Sequence, residues 1–269
     1  MSGVKLYKWS GAGNKFVVLD GRGADVSDYR KAQNISSLCA GYGTDGLMIL
    51  DGSATLDFSM EFFNPDGTGG MMCGNGGRCI TAFADYLGIV PESGLPGAYR
   101  FDAPDGRHEA AILGRESDKR WTVRLGMTDV PGVREMPEGL FINTGTRHFV
   151  KFVPDVEKVD VGTEGRLLRW RREFAPEGTN VDFVSVAPDG LHVRTFEKGV
   201  EGETLACGTG ITASAIASFH KGIPPYRSSA DGRLEYVVRA REDFLSVDFS
   251  HSPEGGFTGV RLTGPAELL

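Results

Sequence analysis

Two runs of small and apolar residues, 79–84 and 213–218, predict two buried helices. Each run follows a Cys-Gly-x-Gly tetrad, at residues 73–76 and 207–210, and each is followed by a glycine, a common helix stop. The second run has almost no polar face over its first turns, so we expect this helix to be enclosed on all sides. Both tetrads follow strand-like segments that end shortly before a glycine-bearing turn.

The tetrads are part of an internal repeat. Cys73 and Cys207 are 207 − 73 = 134 residues apart, about half of the 269-residue chain. Other segments match at an offset of 134 or 135 and in the same order: 11–17 with 145–151, 43–45 with 178–180, and 60–64 with 194–198. Ordered matches of this kind indicate two halves of one architecture.

The repeat predicts an α+β fold of two pseudo-symmetric lobes. In each lobe a curved, mostly antiparallel sheet wraps around a central hydrophobic helix. The boundary is expected in the polar stretch before the strand at residues 121–125. The N-terminal lobe is then residues 1–117, carrying Cys73, and the C-terminal lobe is residues 118–269, carrying Cys207, with the last strand free to cross back.

The amino-acid composition excludes some classes of binding partner and cellular location. Lysine and arginine total 29 against 36 aspartate and glutamate, a net charge of −7, which argues against nucleic acid and anionic membrane surfaces. No apolar run approaches the ~18 residues of a membrane span, and the start of the chain lacks the apolar core of a signal peptide. Four cysteines are too few for a disulfide scaffold. We therefore expect a cytoplasmic protein.

Two cysteines at helix N-termini suggest proton-transfer chemistry. A helix N-terminus carries free N–H groups and about half a positive charge, so it lowers the pKa of a thiol and holds a carboxylate. If the lobes face each other, one thiolate can remove a proton from a carbon while the other thiol delivers one to the opposite face. Such an inversion needs no metal, and no Schiff-base lysine motif for pyridoxal is evident.

Other readings of the cysteines stay open at this level. Cys39, between Leu38 and Ala40, is typical of an inert core residue. Cys79 lies six residues after Cys73, which points the two away from one helix face and disfavours a zinc pair. A thiol–disulfide redox module is the stronger rival, because two reactive thiols across a cleft could also oxidise.

Several motifs together resemble diaminopimelate epimerase, and the likeness runs in order along nearly the whole chain. The segments that carry it are residues 11–16, 63–68, 72–79, 179–183, 197–199 and 203–210, with the terminal 262–266. The resemblance implies a two-lobed fold and a cofactor-independent enzyme. That enzyme interconverts LL- and meso-diaminopimelate, on the bacterial route to lysine and peptidoglycan precursors.

The resemblance also assigns roles by position. It implies that Cys73 and Cys207 are the catalytic bases and that His148 and Glu197 support proton transfer. The residues implied to bind substrate are Asn14, Asn64, Gly74, Asn75, Asn180, Glu197, Lys198, Gly208 and Thr209. Asn64 and Asn180 would read the distal amino-acid end, and the backbone at 74–75 and 208–209 would hold the reacting carboxylate. From residue type alone, a lone histidine is more often structural, and both asparagines would be turn residues.

Some residues depart from the family pattern. Lys198 stands where the family has an arginine expected to grip the distal carboxylate, and lysine cannot form that bidentate fork. Thr146 replaces a substrate-contacting asparagine. The chain stops at Leu269, before the family's aromatic tail strand, which weakens the expected homodimer. A proline or hydroxyproline racemase is the alternative enzyme, although a small ring has no distal end for Asn64, Asn180 and Lys198 to read.

Overall fold

We describe a computed structural model of the chain, covering residues 3–70 and 72–269. Met1 and Ser2, on which the expected lack of a leader sequence partly rests, lie outside the described residues, as does Met71. The chain divides into two units. The first contains the residues up to Leu125 together with Gly264–Leu269, and the second contains Gly126–Thr263.

The division falls after residue 125, whereas the sequence predicts a lobe boundary after residue 117. The polar stretch that suggested the earlier boundary is a hairpin, in which strand Gly106–Ser117 pairs antiparallel with strand Arg120–Gly126. Backbone hydrogen bonds therefore hold the second of these strands in the first unit. Residues Gly264–Leu269 belong there too, because they pair with Arg120–Gly126 and with strand Leu6–Gly11.

The first unit is built from alternating strands and helices, with a 3₁₀ turn at Ser27–Arg30. In chain order they are β1 (Leu6–Gly11), β2 (Asn14–Asp20), α1 (Ala32–Tyr42), β3 (Leu47–Asp51), β4 (Phe58–Phe63), α2 (Gly74–Tyr86), β5 (Ala98–Ala103), β6 (Gly106–Ser117) and β7 (Arg120–Gly126).

The second unit follows the same plan, with 3₁₀ turns at Val156–Lys158 and Arg172–Phe174. Its elements are β8 (Arg134–Met136), β9 (Gly139–Asn143), β10 (Arg147–Phe152), α3 (Val161–Arg169), β11 (Asn180–Ala187), β12 (Gly190–Glu197), β13 (Gly202–Thr204), α4 (Gly208–His220), β14 (Arg227–Ser228), β15 (Leu234–Arg239), β16 (Phe244–His251) and β17 (Phe257–Leu268), the last of which ends in the first unit.

Strand pairing repeats between the two units. In the first, β1–β2 is antiparallel, β2–β3 parallel, β3–β4 antiparallel, β4–β5 parallel and β5–β6 antiparallel. In the second, β9–β10, β10–β11, β11–β12, β12–β15 and β15–β16 follow the same alternation of directions. The predicted α+β class with mostly antiparallel sheets is confirmed, and the sequence repeat corresponds to a repeated topology.

Each sheet packs against the helix that follows its Cys-Gly tetrad. Helix α2 contacts β1, β2, β3, β4 and β6, and helix α4 contacts β9 to β12, β15 and β16. Nearly every residue of α4 is buried, as its sequence predicts. The hydroxyls of its polar residues bond back to helix carbonyls, Thr212 to Gly208 O at 2.9 Å and Ser214 to Gly210 O at 2.7 Å. This internal bonding lets hydroxyl side chains lie inside an apolar layer.

None of the helices within residues 3–70 and 72–269 combines the length and apolarity that crossing a membrane requires.

Candidate active site

Cys73 occupies the N-cap of α2 with an extended backbone (φ −100°, ψ 147°). The N–H of Gly76 donates to its sulfur over 3.2 Å, so the thiol takes the place of the oxygen acceptor usual at this position. A side chain on Gly76 would lie 3.1 Å from the Cys73 sulfur. The tetrad therefore fixes the sulfur at the helix N-terminus, and a side chain at position 76 would press against it.

Arg78, one turn further along α2, is fully buried and holds this helix end in place. Its guanidinium donates to Gly74 O at 3.1 Å, to Asn75 Oδ1 at 2.8 Å and to Pro265 O at 3.3 Å. The cation thus ties the first turn of α2 to the last strand, β17.

A chain of amides leads from Arg78 to Asp45. Because Arg78 donates to Asn75 Oδ1, the amide nitrogen of Asn75 faces Asn14 and donates to Asn14 Oδ1 at 2.5 Å. The Asn14 nitrogen in turn donates to Asp45 Oδ2 at 3.3 Å, and the Lys15 N–H donates to the same oxygen at 2.8 Å. Charged groups at both ends therefore set the orientation of both amides. Two predicted substrate-binding residues, Asn14 and Asn75, lie together here.

Asn64, the third predicted substrate-binding asparagine of the first unit, forms a turn after β4. Its amide nitrogen donates to Thr68 Oγ1 at 3.0 Å, and its backbone N–H donates to Thr68 O at 2.9 Å. The Asp66 carboxylate holds Thr68 through its N–H at 2.9 Å and its hydroxyl at 2.7 Å. Asn64 therefore lies in the connection between β4 and α2, nine residues before Cys73.

Cys207 is the N-cap of α4 and is 8% exposed. Burial raises the pKa of its thiol well above the ordinary value, and the Glu197 and Asp182 carboxylates raise it further. The Thr209 hydroxyl and the Gly210 N–H lower this pKa by a smaller amount. The direction is opposite to the lowering expected from the helix N-terminus, so Cys207 is held as a neutral thiol in this conformation.

His148, the counterpart of Asn14 in the repeat, lies within a buried polar cluster. Its Nδ1 is 2.7 Å from Asp182 Oδ2, and both side chains are inaccessible to solvent. Its Nε2 is 3.0 Å from Thr209 Oγ1 and 2.9 Å from Thr146 Oγ1. Thr146, which departs from the family pattern, also donates to Thr209 Oγ1 at 3.0 Å. Cys207 completes the cluster, with its sulfur 3.4 Å from the same oxygen.

Asn180 links the two strands that flank this cluster. Its amide nitrogen donates to Arg147 O at 2.9 Å, and its Oδ1 accepts from the Lys198 N–H at 2.8 Å. Lys198 itself directs an exposed side chain to solvent. Glu197 is half-buried, and its carboxylate acts on the pKa of Cys207. Asn180, Glu197 and Lys198 thus lie close together, and their substrate-binding roles stay predictions.

The two remaining cysteines lie in the core. Cys39 packs in α1 among Ile35, Tyr29 and Val17, and burial raises the pKa of its thiol. Cys79 is fully buried in α2, and burial raises its pKa far more strongly. Both are held as neutral thiols, consistent with the expectation that Cys39 is inert.

Three polar residues at the two sites were absent from the sequence-based prediction: Arg78, Asp45 and Asp182. Asp182 did leave a signal in the sequence, because it interrupts the apolar run Val181, Phe183, Val184 of β11. A charge within such a strand is rarely buried unless it is paired. The partner, His148, could not be inferred without the parallel register of β10 and β11.

The sequence of the chain is similar to those of known proteins along most of its length. The family profile described as "Diaminopimelate epimerase" matches residues 6–128 and 140–230. A diaminopimelate epimerase from Chlorobaculum tepidum is 43% identical over 79% of this chain and 82% of its own length. One from Flavobacterium psychrophilum is 36% identical over 99% of this chain and 98% of its own length.

The chain belongs to the diaminopimelate epimerase family. A solved structure of similar fold is a phenazine biosynthesis protein of the PhzF family from Bacillus anthracis, with a TM-score of 0.74. The two chains share 13% identity, and the match covers 100% of this chain and 98% of the other. The fold is therefore shared beyond the diaminopimelate epimerase family. Function has to be inferred from the residues around Cys73 and Cys207, because the fold alone does not determine it.

Proposed function

We propose that this chain is a cofactor-independent epimerase that interconverts LL- and meso-2,6-diaminopimelate, in the bacterial synthesis of lysine and peptidoglycan precursors. The observation that carries the proposal is that each unit begins its buried helix with a cysteine N-cap, in a chain of this family. Inverting a carbon that bears hydrogen requires a base and an acid on opposite faces, and the duplicated tetrad supplies two thiols, each at a helix N-terminus.

The carboxylate at the reacting carbon is held by the first turns of the helices. The N–H groups of Gly74 and Asn75 in α2, and of Gly208 and Thr209 in α4, lie in the first turn of each helix, where backbone N–H groups point toward the helix N-terminus. With the partial positive charge of the helix, they stabilise a carboxylate, and more strongly the extra charge that develops on it as the α proton leaves.

Proton transfer then uses the two sulfurs in turn. In one direction the thiolate of one cysteine removes the α proton while the thiol of the other protonates the opposite face, and the reverse reaction exchanges these roles. His148 and Glu197 assist by holding or releasing the proton of the sulfur beside them. For Glu197 this role is supported by the effect of its carboxylate on the pKa of Cys207.

The distal end of the substrate selects diaminopimelate over smaller amino acids. In the proposal, Asn64 and Asn180 read the distal amino and carboxylate groups, with Asn14 and Asn75 completing the polar surface. Lys198 supplies a positive charge for the distal carboxylate. A proline ring has no such end, so these residues would have nothing to bind.

The sequence-based expectations about partners, cofactors, cellular location and oligomeric state remain part of the proposal. The partner is a small-molecule amino acid, with no metal, organic cofactor, nucleic acid or membrane required. A cytoplasmic location and a homodimer are likewise predicted from the sequence and the family.

The test is direct. Incubating the purified protein with LL-diaminopimelate should yield the meso isomer, separated by chiral chromatography, until the two isomers reach equilibrium. L-proline and trans-4-hydroxy-L-proline should remain unchanged under the same conditions. Interconversion of proline isomers without any meso-diaminopimelate would support the alternative racemase and contradict this proposal.

A further inference from the structure

Asp182 contacts the predicted catalytic residue His148 but has no role in the sequence-based prediction, and its side chain is inaccessible to solvent. It lies on β11, two residues after Asn180, so both side chains point to the same face of the strand. Thr195, on the neighbouring β12, donates to its Oδ1 at 2.7 Å. His148 occupies its other oxygen.

This contact fixes the tautomer of His148. A carboxylate accepts only, so the proton of the neutral imidazole lies on Nδ1 and faces Asp182 Oδ2. Nε2 is then an acceptor and takes the hydroxyl proton of Thr209, at 3.0 Å. Thr209 Oγ1 can accept in turn from the Cys207 thiol, at 3.4 Å.

We propose that Asp182, through His148 and the Thr209 hydroxyl, forms a proton relay that governs the ionisation of Cys207. Asp182 is the positioning residue of this relay. As the S–H bond of Cys207 breaks, its proton bonds to Thr209 Oγ1, and the original Thr209 proton bonds to His148 Nε2. The products are a thiolate and an imidazolium, and the imidazolium donates to the Asp182 carboxylate. The reverse transfer restores the thiol.

The packing of α4 supports a fixed relay. A Cβ on Gly210 would clash with Asp182 Oδ1 and lie 3.2 Å from His148 Cε1, so the helix backbone closes directly over the Asp–His pair. Within residues 3–70 and 72–269, the titratable groups seen in the cluster are His148 on β10, Asp182 on β11 and Cys207 on α4, and the Glu197 carboxylate on β12 acts on Cys207. The contacts that link Asp182, His148, Thr209 and Cys207 are all present in this structure, at 2.7, 3.0 and 3.4 Å.

Iodoacetamide alkylation of Cys207, quantified by peptide mapping over a range of pH, tests the relay without requiring activity. Asp182→Asn removes the charge and keeps the shape. The relay predicts that alkylation of Cys207 slows by about tenfold or more near neutral pH and that its rise moves to higher pH by about one unit. A charge acting only through space predicts the reverse, because the Asp182 carboxylate raises the pKa of this thiol. Unchanged or faster alkylation would therefore overturn the relay.

Matched variants complete the experiment. Thr212→Val removes a buried hydroxyl of α4 that donates to Gly208 O and does not contact the relay, and it should leave the alkylation rate of Cys207 within about twofold of the parent. Thr209→Val breaks the relay even if Asp182→Asn does not fold, and should slow alkylation, whereas Thr209→Ser should restore it. A Thr209→Val protein that alkylates as fast as the Thr209→Ser protein would also overturn the relay.

The catalytic consequence of the relay rests on the proposed function. In an active parent, Asp182→Asn should lower kcat/KM on LL-diaminopimelate by about tenfold or more near neutral pH and recover part of it at higher pH. An inactive parent would contradict the proposed function alone, because the alkylation result stands by itself. An active parent with an unaltered pH profile in Asp182→Asn would contradict the relay alone.

Discussion

Lys198 is the residue whose identity departs most clearly from the family's substrate-binding set. Its backbone N–H is fixed by Asn180 Oδ1 at 2.8 Å, while its side chain is exposed. Its ammonium can therefore reach a ligand as a single point charge on a flexible stem, in place of a rigid fork. This arrangement predicts a contribution to binding more than to chemistry.

Replacing Lys198 with methionine should mainly weaken substrate binding. A charge-assisted hydrogen bond contributes about 1.5–3 kcal/mol, so KM should rise about 10- to 150-fold while kcat changes much less. Lys198→Arg should keep or improve affinity. The measurement is steady-state kinetics of the three proteins on LL-diaminopimelate. An unchanged KM in the methionine variant would mean that another residue, with Arg147 as the first candidate, holds the distal carboxylate.

At the residue scale, the sequence predicts the role of a reactive residue when that residue lies within a recognisable motif. Cys73 and Cys207 were identifiable as helix caps because each tetrad precedes an apolar run. The roles of Arg78 and Asp182 could not be predicted, because each has a partner that only the fold brings close: Pro265, 187 positions away, for Arg78, and His148 for Asp182. The raised pKa of Cys207 also could not be foreseen, because it comes from burial and from neighbouring carboxylates in three dimensions.

At the scale of the element, helix α4 shows why its tetrad requires glycine in the fourth position. The backbone at Gly210 passes directly over the Asp182–His148 pair, and a methyl group there would force the pair or the helix to move. The glycine is thus a packing requirement imposed by the site, beyond the freedom it gives a turn.

Gly210→Ala should destabilise the protein by about 2–4 kcal/mol, measured by urea unfolding, because the added carbon meets a buried carboxylate. The control is Gly41→Ala, near the end of α1, where an added Cβ meets nothing within 4 Å. That variant should be more stable than the parent by about 0.5–1 kcal/mol, since alanine favours the helix. Equal stability of the Gly210→Ala protein and the parent would contradict the described packing of α4 on this site.

The sequence also predicts only some of the boundaries of the helices and strands. Both helices begin at the tetrads as expected, and β4 and β12 contain all but the last residue of the matched segments 60–64 and 194–198. The polar stretch before residue 121, which suggests a lobe boundary, contains the end of β6 and the turn into β7, and β6 is largely exposed there. Strand β6 is held in the sheet by pairing with β5 and β7, and its own sequence gives little indication of a strand.

At the scale of the whole molecule, the chain contains one architecture twice. The order of parallel and antiparallel pairings is the same in both units, and each contains a buried helix capped by cysteine. The polar groups differ, with an Arg–Asn–Asn–Asp chain beside Cys73 and an Asp–His–Thr cluster beside Cys207. Equivalent backbones thus present two thiols in unlike surroundings, which suits a reaction whose two substrates are not mirror images of each other.

The central claim is that both thiols act on one α carbon of diaminopimelate. Its most direct test is deuterium entry at that carbon in D₂O, followed by mass spectrometry as LL-diaminopimelate converts to the meso isomer. The parent and Cys39→Ala should both form deuterated meso-diaminopimelate, whereas Cys73→Ala and Cys207→Ala should each lose epimerisation. Formation of the meso isomer at the parent's rate by either of these two variants would contradict the two-thiol mechanism.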